Sequence, residues 1–202
     1  MLEYFPYGRP EAVVMADTVD LTIGMPREDG SYRIVWEQVS RARAPVVLDR
    51  TPLPGEPEGK SYGGYAGLSF RGDRFLDAVT VRTSTGRTDL DAQRLPAQWA
   101  ALTGTVDGRP AGIALFDHPS NPRHPTPWYF VLKKSRGGAP HSPFWFVNAA
   151  FLNNQPFTLA PGQPLVRRHL VRVDNRPPDA AALEEEFRRF AATSAVPDTH
   201  QP

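Results

Sequence analysis

Proline and glycine punctuate this sequence so densely that long helices are ruled out along almost all of it. The chain carries 22 prolines and 16 glycines in 202 residues. Proline fixes φ and lacks an amide donor, and glycine favours turns, so both mark the ends of short elements. The runs between them are rich in β-branched and aromatic residues, which is the composition of strands. Residues 12–24 (AVVMADTVDLTIG) set Val19, Leu21 and Ile23 on one alternating face. The signal repeats in 31–42, around Ile34, Val35, Trp36 and Val39, and in 45–50. It returns in 65–70, 78–83, 98–106, 111–117, 128–134, 144–152 and 164–174. Asp29-Gly30 and Asp107-Gly108 are hairpin tips by their turn chemistry.

One stretch breaks this rhythm. In 177–193 (PPDAAALEEEFRRFAAT), Leu183, Phe187 and Phe190 or Ala191 recur at helical spacing. Prolines precede it, Asp179 suits the N-cap, and glutamates come before arginines, as the helix dipole prefers. Residues 194–202 read as a frayed tail. No repeat and no biased linker divides the chain. The expectation is therefore one all-β domain over 1–193, an antiparallel β-sandwich with a C-terminal amphipathic helix.

Composition removes several classes of function. The formal net charge is +1, so no strong field points to nucleic acid or an anionic membrane. No apolar run is long enough to span a bilayer, and residues 1–13 do not have the form of a signal peptide. The absence of cysteine excludes disulfides, thiolate metal sites and cysteine nucleophiles, and a cytoplasmic location is expected.

The richest chemistry lies in DHPSNPRHPTPWY, Asp117 to Tyr129, which holds four prolines in thirteen residues. It follows a strand end, a common position for sites. His118 and His124 can transfer protons near neutral pH. Arg123 can hold a carboxylate or steady an oxyanion, and Asn121 can orient a hydroxyl. Trp128 offers an indole face for stacking. Another reading of the same residues has Asp117 and Asn121 making local turn bonds, the histidines exposed and Trp128 in the core. His118 and His124 stand six residues apart, which is no established zinc spacing, and neither a metal nor another cofactor is expected. His141, His169 and His200 have poorer context, and His169 reads as an ordinary sheet residue. The glycines of KSYGGYAGLSFR (60–71) lack the features of a phosphate loop and suit close packing. Arg71, at the end of that segment, faces a cleft or solvent.

The loop FDHPSNPRHPTPWY, with YGGYAGLSFR before it and FVNAAFLNNQPFTLAPGQPLVRRHLVRVD after it, resembles the bacterial PmoA-like family. GRTDL, QWAALTGTVDGRPAGIALFD and DAAALEEEFRRFA carry the likeness through nearly the whole chain. The resemblance implies kinship with the galactose-mutarotase type of β-supersandwich, found among sugar epimerases, lyases and glycosidase accessory domains. It implies that Asp117, His118, Asn121, Arg123 and His124 line a site. The family name echoes a methane monooxygenase subunit. This chain has neither a membrane span nor a copper or iron ligand set, so methane oxidation is not expected. Longer relatives carry a His-His segment further upstream. If this chain is a shortened relative, the resemblance implies an incomplete supersandwich with part of the site missing, an open edge near the first strands, and either self-association or marginal stability alone.

Two functions follow. The first is a sugar-active enzyme of the epimerase, isomerase or lyase type. His118, His124 and Arg123 would do its acid–base chemistry, and Asp117, Asn121, Trp128, Arg71 and Tyr65 would bind the carbohydrate. The second is a non-catalytic carbohydrate-recognising or structural sandwich, with Trp128, Tyr62 or Tyr65 stacking on sugar.

Overall fold

A computed structural model describes residues 1–72, 76–133 and 144–194. The tail beyond Ser194, together with His141 and His200, lies outside the described residues. The strands form near their expected positions. β1 (Leu2–Tyr4), β2 (Met15–Ile23), β3 (Tyr32–Ala42), β4 (Val46–Leu48), β5 (Ser69–Gly72) and β6 (Leu76–Thr83) come first. β7 (Trp99–Val106), β8 (Arg109–Asp117), β9 (Trp128–Lys133), β10 (Phe144–Ala149), β11 (Phe157–Leu159) and β12 (Leu165–Asp174) follow, and then α1 (Ala180–Ala191). β1 and a 3-10 turn, Asp89–Ala92, have no counterpart in the sequence reading, and β11 falls in the 156–165 segment, whose pattern reads as two strand ends about a Pro-Gly turn. The strand expected over 65–70 is displaced to β5, which shares only residues 69 and 70 with it, and that over 144–152 stops at Ala149.

All strand pairs are antiparallel. Seven strands make the main sheet, in the order β1-β2-β3-β12-β8-β7-β6. β5-β10-β9 form a second sheet, and β11-β4 a short ribbon. Asp107 and Gly108 both have positive φ (50° and 72°) and close the β7–β8 hairpin between paired Val106 and Arg109. At the β2–β3 connection, Gly30 has φ 77° and Ser31 N donates to Asp29 Oδ1.

The main sheet is covered on both faces, for different reasons. Its inner face presents Val81, Leu102 and Leu115 to Trp128, Phe130, Trp145 and Val147 of the smaller sheet. This is the sandwich core. Its outer face presents Trp99, Ala114, Phe116 and Leu170, and α1 lays Leu183, Phe187 and Phe190 upon them. Asp179 caps the helix by accepting from Ala182 N at 2.8 Å, and Arg188 and Arg189 occupy its last turn. The first turn contains no acidic residue. The glutamates instead reach sideways: Glu186 pairs with Arg33 and Arg172, and Glu184 accepts from the Trp99 indole. Tertiary contacts account for Glu184 and Glu186, while Glu185 pairs with Arg188 and Arg189 on the helix itself. No described helix is long and apolar enough to cross a membrane.

The smaller sheet covers only the β6–β12 half of the inner face. Beyond it, the β4–β11 ribbon and Phe151 pack on Met15, Ala42 and Leu165 at one end of the inner face, the rest of the inner surface of β3 and β2 is open, and β1 pairs with β2 only over residues 15–17. Among the described residues no strand pairs with the outer side of β2 from Thr18 onward, and Leu21 and Ile23 are exposed.

Candidate functional site

The proline loop begins where β8 ends. Asp117, 2% exposed, accepts at Oδ1 from Asn121 Nδ2 (2.7 Å). At Oδ2 it accepts from His124 Nδ1 (2.8 Å) and Thr126 N (3.0 Å). A carboxylate only accepts, so the His124 proton sits on Nδ1. Asn121 also donates to Arg168 O and accepts from Arg168 N, both within 2.7 Å, and thereby extends the pairing of β12 with a side chain. Arg123 takes a left-handed backbone (φ 65°). Its guanidinium donates to the carbonyls of Phe151, Gln155 and Pro156 at 2.6–3.0 Å.

His118 turns to the outer face. Its Nδ1 lies 2.7 Å from Ser120 Oγ and 3.1 Å from Ser120 N, and its Nε2 lies 3.2 Å from Thr193 O and 3.1 Å from Arg168 Nη1. Its ring meets Phe190 edge-on at 4.9 Å. Burial first, and then the Arg168 guanidinium, lower its pKa below the usual imidazole value. The His124 ring lies parallel to Phe187. Trp128 is fully buried in the core, with its indole N–H donated to Ala97 O at 2.8 Å. The structure thus gathers Asp117, Asn121 and His124 into one hydrogen-bonded group. It sends His118 toward the helix and ties Arg123 to the 151–156 segment.

A cleft of about 630 Å³ opens on the uncovered part of the inner face. Alternation places Trp36, Gln38 and Ser40 of β3 on its sheet wall, beside Asp17 of β2 and Arg167 of β12. Sheet register makes these neighbours, since Asp17 pairs with Ser40 and Arg167 with Gln38. Ala66, Gly67, Ser69, Phe151 and Leu152 stand on another side. Gly67 has φ 112°, and a Cβ there would meet Ala149 O at 2.4 Å, so the approach of this segment depends on glycine.

Several polar groups of the cleft lack partners. Asp17 Oδ2 accepts from the Tyr4 hydroxyl (2.9 Å) and Gln38 Nε2 (2.7 Å). Asp17 Oδ1, Ser40 Oγ and Arg167 Nε are shut from solvent with no hydrogen-bond partner among the described residues. The Arg167 guanidinium lies over the Phe151 ring at 4.8 Å, and burial lowers its pKa. Burial, and then the bond to Asp17, raise that of Tyr4.

Gly67, Phe151 and Arg167 also border a small void of about 10 Å³, whose other walls include Asp117, Asn121 and His169. His169 stands opposite Asp117 in the register, with Nε2 at 3.6 Å from Oδ1. It is 5% exposed, and its Nδ1 has no described partner. Burial lowers its pKa to about 4, so it is neutral near pH 7. The sequence reading of His169 as an ordinary sheet residue misses this burial. Tyr4, Asp17, Trp36, Gln38, Ser40 and Arg167 are likewise not site candidates in that reading. Alternation marks Trp36, Gln38 and Ser40 as one face, but only the register shows what stands beside them.

Tyr65 and Arg71 lie elsewhere. They line a concavity of about 620 Å³ on the outer face of the smaller sheet, with Tyr62, Tyr129 and Phe146. The rings of Tyr65, Tyr129 and Phe146 meet pairwise at 6.0–6.2 Å. Among the described residues no group of three histidine, aspartate or glutamate side chains is placed to hold a metal ion.

Fold and cleft together define an antiparallel β-sandwich with one covering helix and a ligand-sized cleft beside its core. The chain belongs to a family of unknown function, DUF6807, whose model matches residues 4–188. Comparison with curated proteins and with solved structures gives no match. These comparisons carry no link to the PmoA-like or galactose-mutarotase-like groups.

Proposed function

We propose that the protein takes a carbohydrate or sugar derivative into the inner-face cleft. The observation that carries this reading is the set of unpartnered, buried polar atoms around one concavity: Asp17 Oδ1, Ser40 Oγ and Arg167 Nε. Buried polar atoms ordinarily find partners, and a polyhydroxylated ligand supplies both donors and acceptors. The Trp36 indole on the same wall suits the apolar face of a sugar ring. The resemblance to the PmoA-like family and the galactose-mutarotase type points the same way. The test is calorimetric titration of a panel of sugars, 3-keto-sugars and glycosides into the wild-type protein and Trp36→Ala. Binding by one class, weakened at least about tenfold by Trp36→Ala, is expected. No binding across the panel, or binding indifferent to Trp36, refutes the proposal.

The sugar-active enzyme is a second reading, favoured by the Asp117–His169 pair near the cleft. Here a neutral buried imidazole beside a carboxylate is the proton-transfer group. His124, Asn121 and Arg123 then act by fixing Asp117 and its loop. Turnover that His169→Gln abolishes while leaving ligand affinity within about threefold supports this reading. Equal turnover by that variant sinks it. The aromatic concavity at Tyr65 supports the non-catalytic alternative. The open side of β2 supports self-association, which a monomer at every concentration in sedimentation velocity refutes.

A further inference from the structure

We infer that the cleft ligand is a sugar acid, bound through a carboxylate on Arg167 and through hydroxyl groups on Asp17 and Ser40. This rests on the proposed carbohydrate reading and narrows it to one chemical class. Of the three charged residues that line the cleft, Asp49 is half exposed and pairs with Arg50, while Asp17 and Arg167 differ in what they lack. Asp17 is already half satisfied, because Tyr4 and Gln38 donate to Oδ2. Its free Oδ1 needs a donor, which a ligand hydroxyl supplies. Ser40 Oγ, its cross-strand neighbour, accepts or donates to the same kind of group.

Arg167 is the reverse case. No described carboxylate lies within salt-bridge distance of it, and its Nε–H has no acceptor among the described residues. Its flat contact is taken by the Phe151 ring at 4.8 Å, and its terminal Nη groups make no hydrogen bond to a described residue, which leaves the Nη edge to a ligand. Burial already works against its charge. A buried cation is stabilised by an anion that also accepts its hydrogen bonds. The guanidinium edge matches a planar carboxylate, which takes two parallel N–H bonds. A single negative charge also suits a cleft that holds Asp17, whereas a phosphate dianion would meet that carboxylate with twice the repulsion. Arg168 and Arg172, on the same strand, face the other way and are already paired, with Glu37 and Asp174. Arg167 is thus the β12 arginine left for a ligand.

The test uses the full chain and four probes in calorimetric titration: D-glucuronate, D-gluconate, D-glucose and D-glucose 6-phosphate. At least one of the two acids is expected to bind about tenfold or more tightly than glucose and than the phosphate, a decade or more in Kd. In Arg167→Gln, which removes the charge and keeps a polar side chain, the acid-to-glucose affinity ratio is expected to fall to about one. Circular dichroism melting establishes that the variant is folded, and Arg167→Lys serves in its place if it is not. In Arg167→Lys the same ratio is expected to fall several-fold, because an ammonium cannot make the two-pronged contact. Glucose binding as tightly as the acids overturns the inference and leaves the carbohydrate reading standing. Tighter binding of the phosphate overturns the carboxylate assignment. Retention of the acid preference without Arg167 removes its proposed role. No binding by any probe overturns the inference, and the broader panel then decides the carbohydrate reading separately.

Discussion

The buried neutral imidazole of His169 makes the stability of this protein sensitive to mild acid, over a change from about pH 7 to about pH 5. In the unfolded chain the imidazole titrates near its ordinary value of 6.5, whereas burial lowers the folded value to about 4. The unfolded state therefore binds the proton first as the pH falls. Stability from this group is fully present above about pH 6.5 and is lost as the pH falls toward 4. Over the chosen window the loss is about 2 kcal/mol by linkage. In a chain of this size that corresponds to a melting temperature lower by roughly 4–8 °C. Asp117 favours the charged imidazole, and Arg167 and His118 oppose it, but burial is the largest influence. His118, also lowered, adds in the same direction. Glu186 has a lowered pKa as well, so its contribution is lost only below its unfolded value near 4.5, outside the window. Urea unfolding at a series of pH values, on wild type and His169→Gln, measures the effect. The expected result is a slope in the wild type that the variant largely removes. Equal slopes, or a wild-type stability independent of pH over this range, would overturn this account.

Two substitutions in the proline loop carry further expectations. Asp117→Ala removes the acceptor for Asn121, His124 and Thr126 N in a buried setting and should cost about 2–4 kcal/mol in urea unfolding, with less than about 1 kcal/mol counting against its role as the hub of the loop. Arg123→Ala withdraws three hydrogen bonds from the 151–156 carbonyls and should cost about 1–3 kcal/mol, where an ordinary surface arginine costs about half a kcal/mol or less.

The strands and the helix were legible because their signals are local. A two-residue alternation in 31–42 needs no partner to be seen, and Asp107-Gly108 specifies its own turn through positive φ. The helix over 180–191 follows from the spacing of Leu183, Phe187 and Phe190, although Glu186 serves the distant Arg33 and Arg172. Density of polar groups likewise singles out the loop at Asp117, whose bonds to Asn121 and His124 span only a few residues.

The cleft is a different kind of object. Asp17, Trp36 and Arg167 are far apart in the chain and sit on ordinary strands, where nothing nearby marks them. Each becomes a candidate only when pairing sets β2, β3 and β12 side by side and the smaller sheet stops short of them. The order of residues suffices for the elements, their alternating faces and the stiff loop, because these depend on φ, on side-chain period and on near neighbours. Which polar atoms are buried without partners follows only from the assembled fold. Burial and pairing are properties of what the rest of the chain brings close, and one register step would have turned Arg167 to the other face of the sheet.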